Sequence, residues 1–332
     1  MRGDLQEGEF DTFAPVVNSS MIHIVLCLSM LLQWEMVCVD FSNAFVQAQL
    51  KDPVWIHLPC GFKTDRQGPT CLRLEKSLYG LSVAPRLWFE KLLEALLEDV
   101  FKQSNDDQCL FLKPDMIMFL WVDDCGISCK TMKGIDLFIE RLKKKGFNLT
   151  KDSSFSEYLG INFVRDEKNG SITMTQPGLI NKVIPATGIG DCNPNHAPAA
   201  KETLGNNPEE AVMEESWGYS AVVGMLLYLS PNTRPDIAFA VSQVARFSSC
   251  PKQSHTRAVK KLIRYLAGTI NKGVIFTPNS QHFKLECYVD ADFAGLHGSS
   301  EPQNSPLSAR SRMGYIIFFG NCPLVWKSKL QT

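Results

Sequence analysis

The chain has 332 residues, 45% hydrophobic and 21% charged, with 34 Lys and Arg against 35 Asp and Glu for a formal charge of −1. That length is a prior of about two domains with chain enough to bury a core, and the composition excludes wholesale disorder. Near-neutrality excludes a polycationic arm or a long acidic tail, but it leaves room for a locally basic groove suited to nucleic acid.

Residues 21–32 (MIHIVLCLSMLL) read as a buried helix. About twelve residues interrupted by His23 are too short to span a bilayer, and the segment lacks the basic leader and small-residue cleavage site of a signal peptide. The 11 cysteines scatter without any C-x-x-C pair, which excludes a zinc ribbon or finger and suits reduced thiols in an intracellular protein. Residues 35–41 (EMVCVDF) predict a short buried strand with an acid near its end. Turn signals follow at residues 52–53 and 59–61. Behind Pro85, Leu87, Trp88, Leu92, Leu96 and Val100 recur at helical spacing. Residues 116–122 (MIMFLWV) form a second apolar strand that runs directly into Asp123 and Asp124. Residues 135–145 predict an amphipathic helix closed by Gly146.

Beyond about residue 165 the pattern changes. Residues 177–208, rich in Pro, Asn, Gly and Ala, are expected to be an irregular connection. Helices are expected over residues 216–229, 235–247 and 254–267, then strands over 283–289, 313–319 and 324–327, with a polar loop at 298–311.

Two adjacent acids at the end of an apolar strand raise one another's pKa, and burial raises both, so the pair calls for a cation. Asp124-Cys125-Gly126 also suits a hairpin turn, the simpler reading of an isolated Asp-Asp. Asp40 alters that balance, because it too ends an apolar strand. Three carboxylates on adjacent strand ends suit two Mg²⁺ ions about 4 Å apart, the arrangement that in-line phosphoryl or nucleotidyl transfer needs. Oxygen donors alone favour Mg²⁺ over zinc.

At these residues the sequence resembles the reverse transcriptase of copia-type LTR retrotransposons. Thr12-Phe13-Ala14-Pro15-Val16 matches the family's TFAPV, and Val39-Asp40-Phe41-Ser42-Asn43-Ala44-Phe45 matches its VDVKTAF-like block. Leu78-Tyr79-Gly80-Leu81, Ala84-Pro85-Arg86 and Trp88 match LYGLKQAPRAW, and Trp121-Val122-Asp123-Asp124 matches YVDD. Tyr158-Leu159-Gly160, Arg234-Pro235-Asp236-Ile237 and Tyr288-Val289-Asp290-Ala291-Asp292 match the family's FLG, RPDI and YSDAD blocks in the same order.

The resemblance implies an α+β fold. Residues 1–165 would form a right-hand polymerase palm of antiparallel strands backed by helices, with truncated fingers. Residues 166–275 would form a helical thumb and connection, and 276–332 a partial RNase H-like sheet. It implies RNA-directed DNA polymerase activity with Asp40, Asp123 and Asp124 as ligands of two Mg²⁺ (or Mn²⁺) ions, assisted by the Phe41 carbonyl. Phe45 would be the gate that clashes with a 2′-hydroxyl, and Arg86 would contact substrate. Asp290 would open an RNase H site whose partner Glu belongs to a block beyond residue 332, so little RNase H activity is expected. Implied partners are an RNA template, a DNA primer, deoxynucleoside triphosphates and the rest of a Pol polyprotein, with integrase and complete RNase H. The implied location is a cytoplasmic virus-like particle.

Two basic groups could serve the template–primer. Lys143, Lys144, Lys145 and Lys151 flank the helix after the Asp pair, though such runs are also ordinary solvated faces. His255, Arg257, Lys260, Lys261 and Arg264 form a stripe opposite Val259, Leu262, Ile263 and Leu266. The sequence departs from the family at Ser82-Val83, where Lys-Gln is usual, at Trp121 for Tyr, and at Cys60 inside a P-x-G-F turn. Met1-Arg2-Gly3-Asp4 resembles the close of KARLVARG, so most of the fingers hairpin is expected to be missing and primer extension by this chain to be weak or absent. A degenerate, non-catalytic remnant or a nucleic-acid-binding module is the competing reading, and an unrelated two-metal hydrolase has only the acids in its favour.

Overall fold

The computed structural model describes residues 12–59, 61–62, 71–190, 192–199, 204–205, 209–214, 216–295 and 310–331. The expectations at residues 1–4, at Cys60 and over most of 298–311 lie outside the described residues. The fold is α+β with antiparallel sheets. Contacts divide the described residues into two compact units, the first holding those up to 25 and within 32–155, the second 26–31 and those from 156 onward.

In the first unit β1 (Glu35–Asp40), β4 (Lys102–Gln103), β5 (Leu110–Lys113), β6 (Met116–Trp121), β7 (Asp124–Cys129) and β8 (Thr150–Lys151) make one sheet, and β2 (Gln49–His57) and β3 (Cys71–Lys76) a separate hairpin. The large sheet runs β4-β5-β6-β7-β1-β8, with every neighbour antiparallel. Met36–Val39 and Met116–Leu120 are buried without alternation, which is the pattern of strands covered on both faces. Helix α1 (Ser19–Leu31) precedes β1, and the four-residue α2 (Ala44–Gln47) follows it. α3 (Ala84–Glu98) starts with Pro at its first turn and buries Ala84, Trp88, Leu92, Ala95 and Leu96, one stripe at helical spacing. α4 (Met132–Lys144) is capped by the Thr131 hydroxyl, which accepts from the Gly134 amide at 3.1 Å. Gly146, at φ +86°, takes the left-handed position just past its end.

The second unit contains the sheet β12-β11-β10-β9, made of β9 (Glu157–Tyr158), β10 (Ile161–Asp166), β11 (Ser171–Thr175) and β12 (Val274–Phe276). It also holds the helices α5 (Pro177–Ala186), α6 (Tyr219–Thr233), α7 (Ala238–Ala245) and α8 (Gln253–Ala267), whose core includes Ile180, Val183, Leu226, Val241 and Leu262. A third sheet of β13 (Leu285–Ala291), β14 (Arg312–Phe319) and β15 (Cys322–Leu330) is antiparallel in chain order.

α5 corrects the expectation that residues 177–208 are irregular throughout. Its Pro177 sits at the first turn, where the missing N–H costs nothing, and Ile180 and Val183 fall on the buried face. His255 is a second correction, because it is fully buried and no part of a basic face. Its Nδ1 accepts from the Lys252 amide at 2.9 Å, so its Nε2 carries the proton and donates to the Gly205 carbonyl at 2.9 Å. Burial pushes its pKa down, and the ring stacks on Phe247 at 3.6 Å. It is a neutral helix-capping residue.

Candidate active site

The arrangement starts from strand register. In the antiparallel β1–β7 pair Asp40 lies directly opposite Asp124, and the β6–β7 hairpin pairs Trp121 with Asp124, leaving Val122 and Asp123 as a two-residue turn. Asp124 to Gly126 are therefore strand, so the turn stands two residues earlier than the hairpin reading put it. Gly126 is inside β7 for a packing reason: a Cβ there would sit 2.0 Å from the Phe119 ring. Gly126→Ala is expected to cost about 1–3 kcal/mol by overpacking, read from denaturant unfolding, and a second change of Phe119→Leu to recover much of it. An unaltered midpoint in the single variant would contradict that packing.

Val122 has φ +57°, a conformation that a β-branched residue rarely adopts. Such strain persists only where neighbours over-determine it. Two hydrogen bonds do so here. The buried Trp88 indole N–H donates to the Val122 carbonyl at 2.7 Å, and the Phe41 amide donates to the Asp123 carbonyl at 3.1 Å. Phe41 in turn packs edge-on against Trp88 and Phe147, at 5.0 and 5.9 Å. An aromatic cluster under the sheet end thus fixes both acid-bearing segments.

α2 is held from the other side. Asn43 takes φ 54°, and the Gln47 amide donates to the Ser42 and Asn148 carbonyls at 2.9 Å each while accepting from the Asn148 amide at 2.9 Å. This places Phe45, half-buried, against Tyr79 with ring centroids 4.7 Å apart.

Burial, then the charges of Asp123, Asp40 and Asp152, push the Asp124 carboxyl above the usual carboxylate range. Tyr79 is raised likewise, by burial and then by Asp123 and Asp40. The strand ends therefore gather negative charge, with Asp152 a fourth contributor that sequence reasoning missed. Its amide bonds to the Cys38 carbonyl at 3.0 Å as the chain leaves β8, a pairing with no local sequence signal. Among the described residues no three His, Cys, Asp or Glu side chains are placed to hold a metal ion as they stand. The donor chemistry still fits one: carboxylate oxygens in mutual repulsion favour a hard divalent cation such as Mg²⁺.

The sign of the resulting pH dependence is fixed. A raised carboxyl binds more protons folded than unfolded, so its contribution to stability declines as pH rises from the ordinary value of 3.8 through the raised one, and the full cost is present at neutral pH. Mg²⁺ should therefore raise Tm at pH 7 and raise it progressively less on acidification through the carboxylate range. Asp124→Asn should raise Tm without Mg²⁺ and shrink the Mg²⁺ response. An identical Mg²⁺ shift in that variant would contradict a cation-binding cluster.

The remaining predicted residues are placed as follows. Arg86, in the first turn of α3, bonds Glu90 at 2.8 Å, and Glu90 also takes Lys51. Lys145 pairs with Glu98 and bonds the Ala95 carbonyl, and Lys151 pairs with Asp136, whereas Lys143 and Lys144 lie exposed at the end of α4. In the second unit Arg257 is exposed and 3.4 Å from Glu210, Arg264 donates to the Asn193 carbonyl at 2.7 Å, and Lys260 and Lys261 are half-buried. Asp290 is exposed on β13, opposite Gly314, and accepts from the Ala291 amide at 2.9 Å.

Comparison with known proteins decides the family. The family described as reverse transcriptase (RNA-dependent DNA polymerase) matches residues 4–201. The chain belongs to the reverse transcriptase family. It is 32% identical over 326 residues to the retrovirus-related Pol polyprotein from transposon RE1 of Arabidopsis thaliana, covering 97% of this chain and 21% of that protein. It is 30% identical over 335 residues to the Pol polyprotein from transposon TNT 1-94 of Nicotiana tabacum, covering 97% and 24%. The putative transposon Ty5-1 protein of Saccharomyces cerevisiae is 24% identical over 295 residues, with 88% of this chain and 92% of that protein aligned. The resemblance to copia-type Pol polyproteins thus holds along most of this reverse transcriptase chain, which spans 21% of the length of the RE1 relative.

Proposed function

We propose that this chain is the RNA-directed DNA polymerase portion of a copia-type Pol polyprotein. The observation that supports it is the pairing of Asp40 with Asp124 across β1 and β7, with Asp123 on the strained turn between β6 and β7. Asp40, Asp123 and Asp124, with the Phe41 carbonyl, would hold two Mg²⁺ ions. When bound, the ions supply charge stabilisation on the transferring phosphate and activate the primer 3′-hydroxyl. The chain's own contribution is preorganisation. Trp88 and the Phe41 amide keep the acid-bearing turn in place, so little reorganisation is needed at the moment of reaction. Phe45 would lie under the incoming sugar and exclude a 2′-hydroxyl.

Residues 1–165 would then be the palm, 166–275 the thumb and connection, and 276–332 part of an RNase H-like sheet bearing Asp290. Lys143, Lys144 and the α8 residues Arg257, Lys260, Lys261 and Arg264 would meet nucleic-acid phosphates, and the parent element would act in cytoplasmic particles. The test is extension of oligo(dT) on poly(rA) with Mg²⁺ and dTTP. Metal-dependent extension is expected. Binding of the hybrid without any extension would favour the non-catalytic module instead.

A further inference from the structure

The Leu78–Leu81 turn carries a residue that the polymerase reading does not use. The Leu81 amide bonds the Leu78 carbonyl at 3.1 Å and Gly80 has φ +91°, the geometry of a type II turn with Tyr79 at its first central position. Glycine is required at residue 80 by that positive φ. The turn projects Tyr79 onto Phe45, at 4.7 Å between centroids and tilted by 50°. Tyr79 therefore backs α2 through its ring, while Gln47 locks the helix at its other end. Burial, and then the charges of Asp123 and Asp40, push the same phenol's pKa up. With 43% of its surface exposed, it is not simply a core aromatic.

We propose that Tyr79 is a positioning residue for sugar discrimination: it backs the Phe45 ring and fixes how far that ring reaches toward the 2′ position of the incoming nucleotide. The inference rests on the polymerase reading and deepens it. Phe45 has the bulk to meet a 2′-hydroxyl, but a ring free to retreat would yield to one extra oxygen. Tyr79 blocks the retreat. Removing its ring opens space behind Phe45, while removing only its hydroxyl leaves the ring as a backstop.

The test is single-nucleotide insertion of dTTP against UTP on poly(rA)/oligo(dT), together with equilibrium binding of the same two nucleotides with Mg²⁺ followed by tryptophan fluorescence. Tyr79→Leu is expected to lower the dTTP/UTP ratio of kcat/KM by about tenfold, within the range one group-sized change in a pocket gives, chiefly through a lower KM for UTP. Tyr79→Phe should keep most of the discrimination, and melting curves should show both variants folded. If Tyr79→Leu slows dTTP and UTP insertion by the same factor, the role is structural and the inference is overturned while the polymerase reading stands. If the parent chain extends no primer but binds dTTP over UTP, and Tyr79→Leu erases that preference, the inference survives and the polymerase reading fails. Absence of both extension and preference overturns both.

Discussion

Asp123→Asn and Asp40→Asn should each reduce primer extension by at least about 10²–10³-fold, the scale lost when one preorganised electrostatic group is deleted from a transition-state site. The substitution is nearly isosteric, and the backbone bonds that place Asp123, from Phe41 and through Trp88 to Val122, do not involve its side chain. The expected phenotype is an inactive but folded protein. Asp124→Asn should be equally inactive and no less stable, since it removes a carboxyl whose ionised form is disfavoured by burial and by three neighbouring acids. Parental extension rates in any of these variants would remove that carboxylate from the chemistry.

The second large effect lies in the other unit. Arg234, 1% exposed, grips Asp236 through Nε at 2.9 Å and Nη2 at 2.8 Å. It also reaches the Thr269 carbonyl and hydroxyl at 3.0 and 2.8 Å, and the Tyr265 hydroxyl donates to Asp236 at 2.7 Å. The Arg-Pro-Asp-Ile motif is thus a clasp joining the end of α6 to the end of α8. Arg234→Ala should cost about 3 kcal/mol, the low end for breaking a buried pair because Asp236 keeps 31% exposure. Burial alone would raise the Asp236 carboxyl, but the bonds from Arg234 and Tyr265 outweigh it and hold the group below 3.8. The clasp's contribution is accordingly complete above that ordinary value and lost as pH falls through the lowered one. Unfolding curves of parent and variant should converge in acid. A constant difference from neutral pH into acid would show that packing, not the ion pair, sets the cost.

How far the sequence disclosed this arrangement differs from element to element. β1 and β6 were legible as apolar runs ending in acids, and α4 by its apolar stripe and Gly146. The β10–β11 hairpin went unread, although Asn169-Gly170 between two β-rich runs is a strong turn signal. α5 was hidden by Pro177 and Gly178, since composition argues for a loop while position argues for a first turn. The acids themselves were legible, but their support was not. Trp88 bonds the Val122 carbonyl across 34 positions of chain, and Gln47 reaches Asn148 across 101. Neither partnership has a local pattern. The left-handed Val122 was beyond sequence reasoning for a different reason, because valine's own preference opposes it and only the fold imposes it.

The claim that most needs testing is that these carboxylates form a single divalent-cation centre. Titration of the folded chain with Mn²⁺, following the free ion by electron paramagnetic resonance in the presence of poly(rA)/oligo(dT) and dTTP, measures that directly. Saturable binding competed by Mg²⁺, weakened in Asp40→Asn and lost when Asp40, Asp123 and Asp124 are all replaced by Asn, is the predicted result. Mn²⁺ uptake by the triple variant equal to that of the parent chain would contradict the assignment.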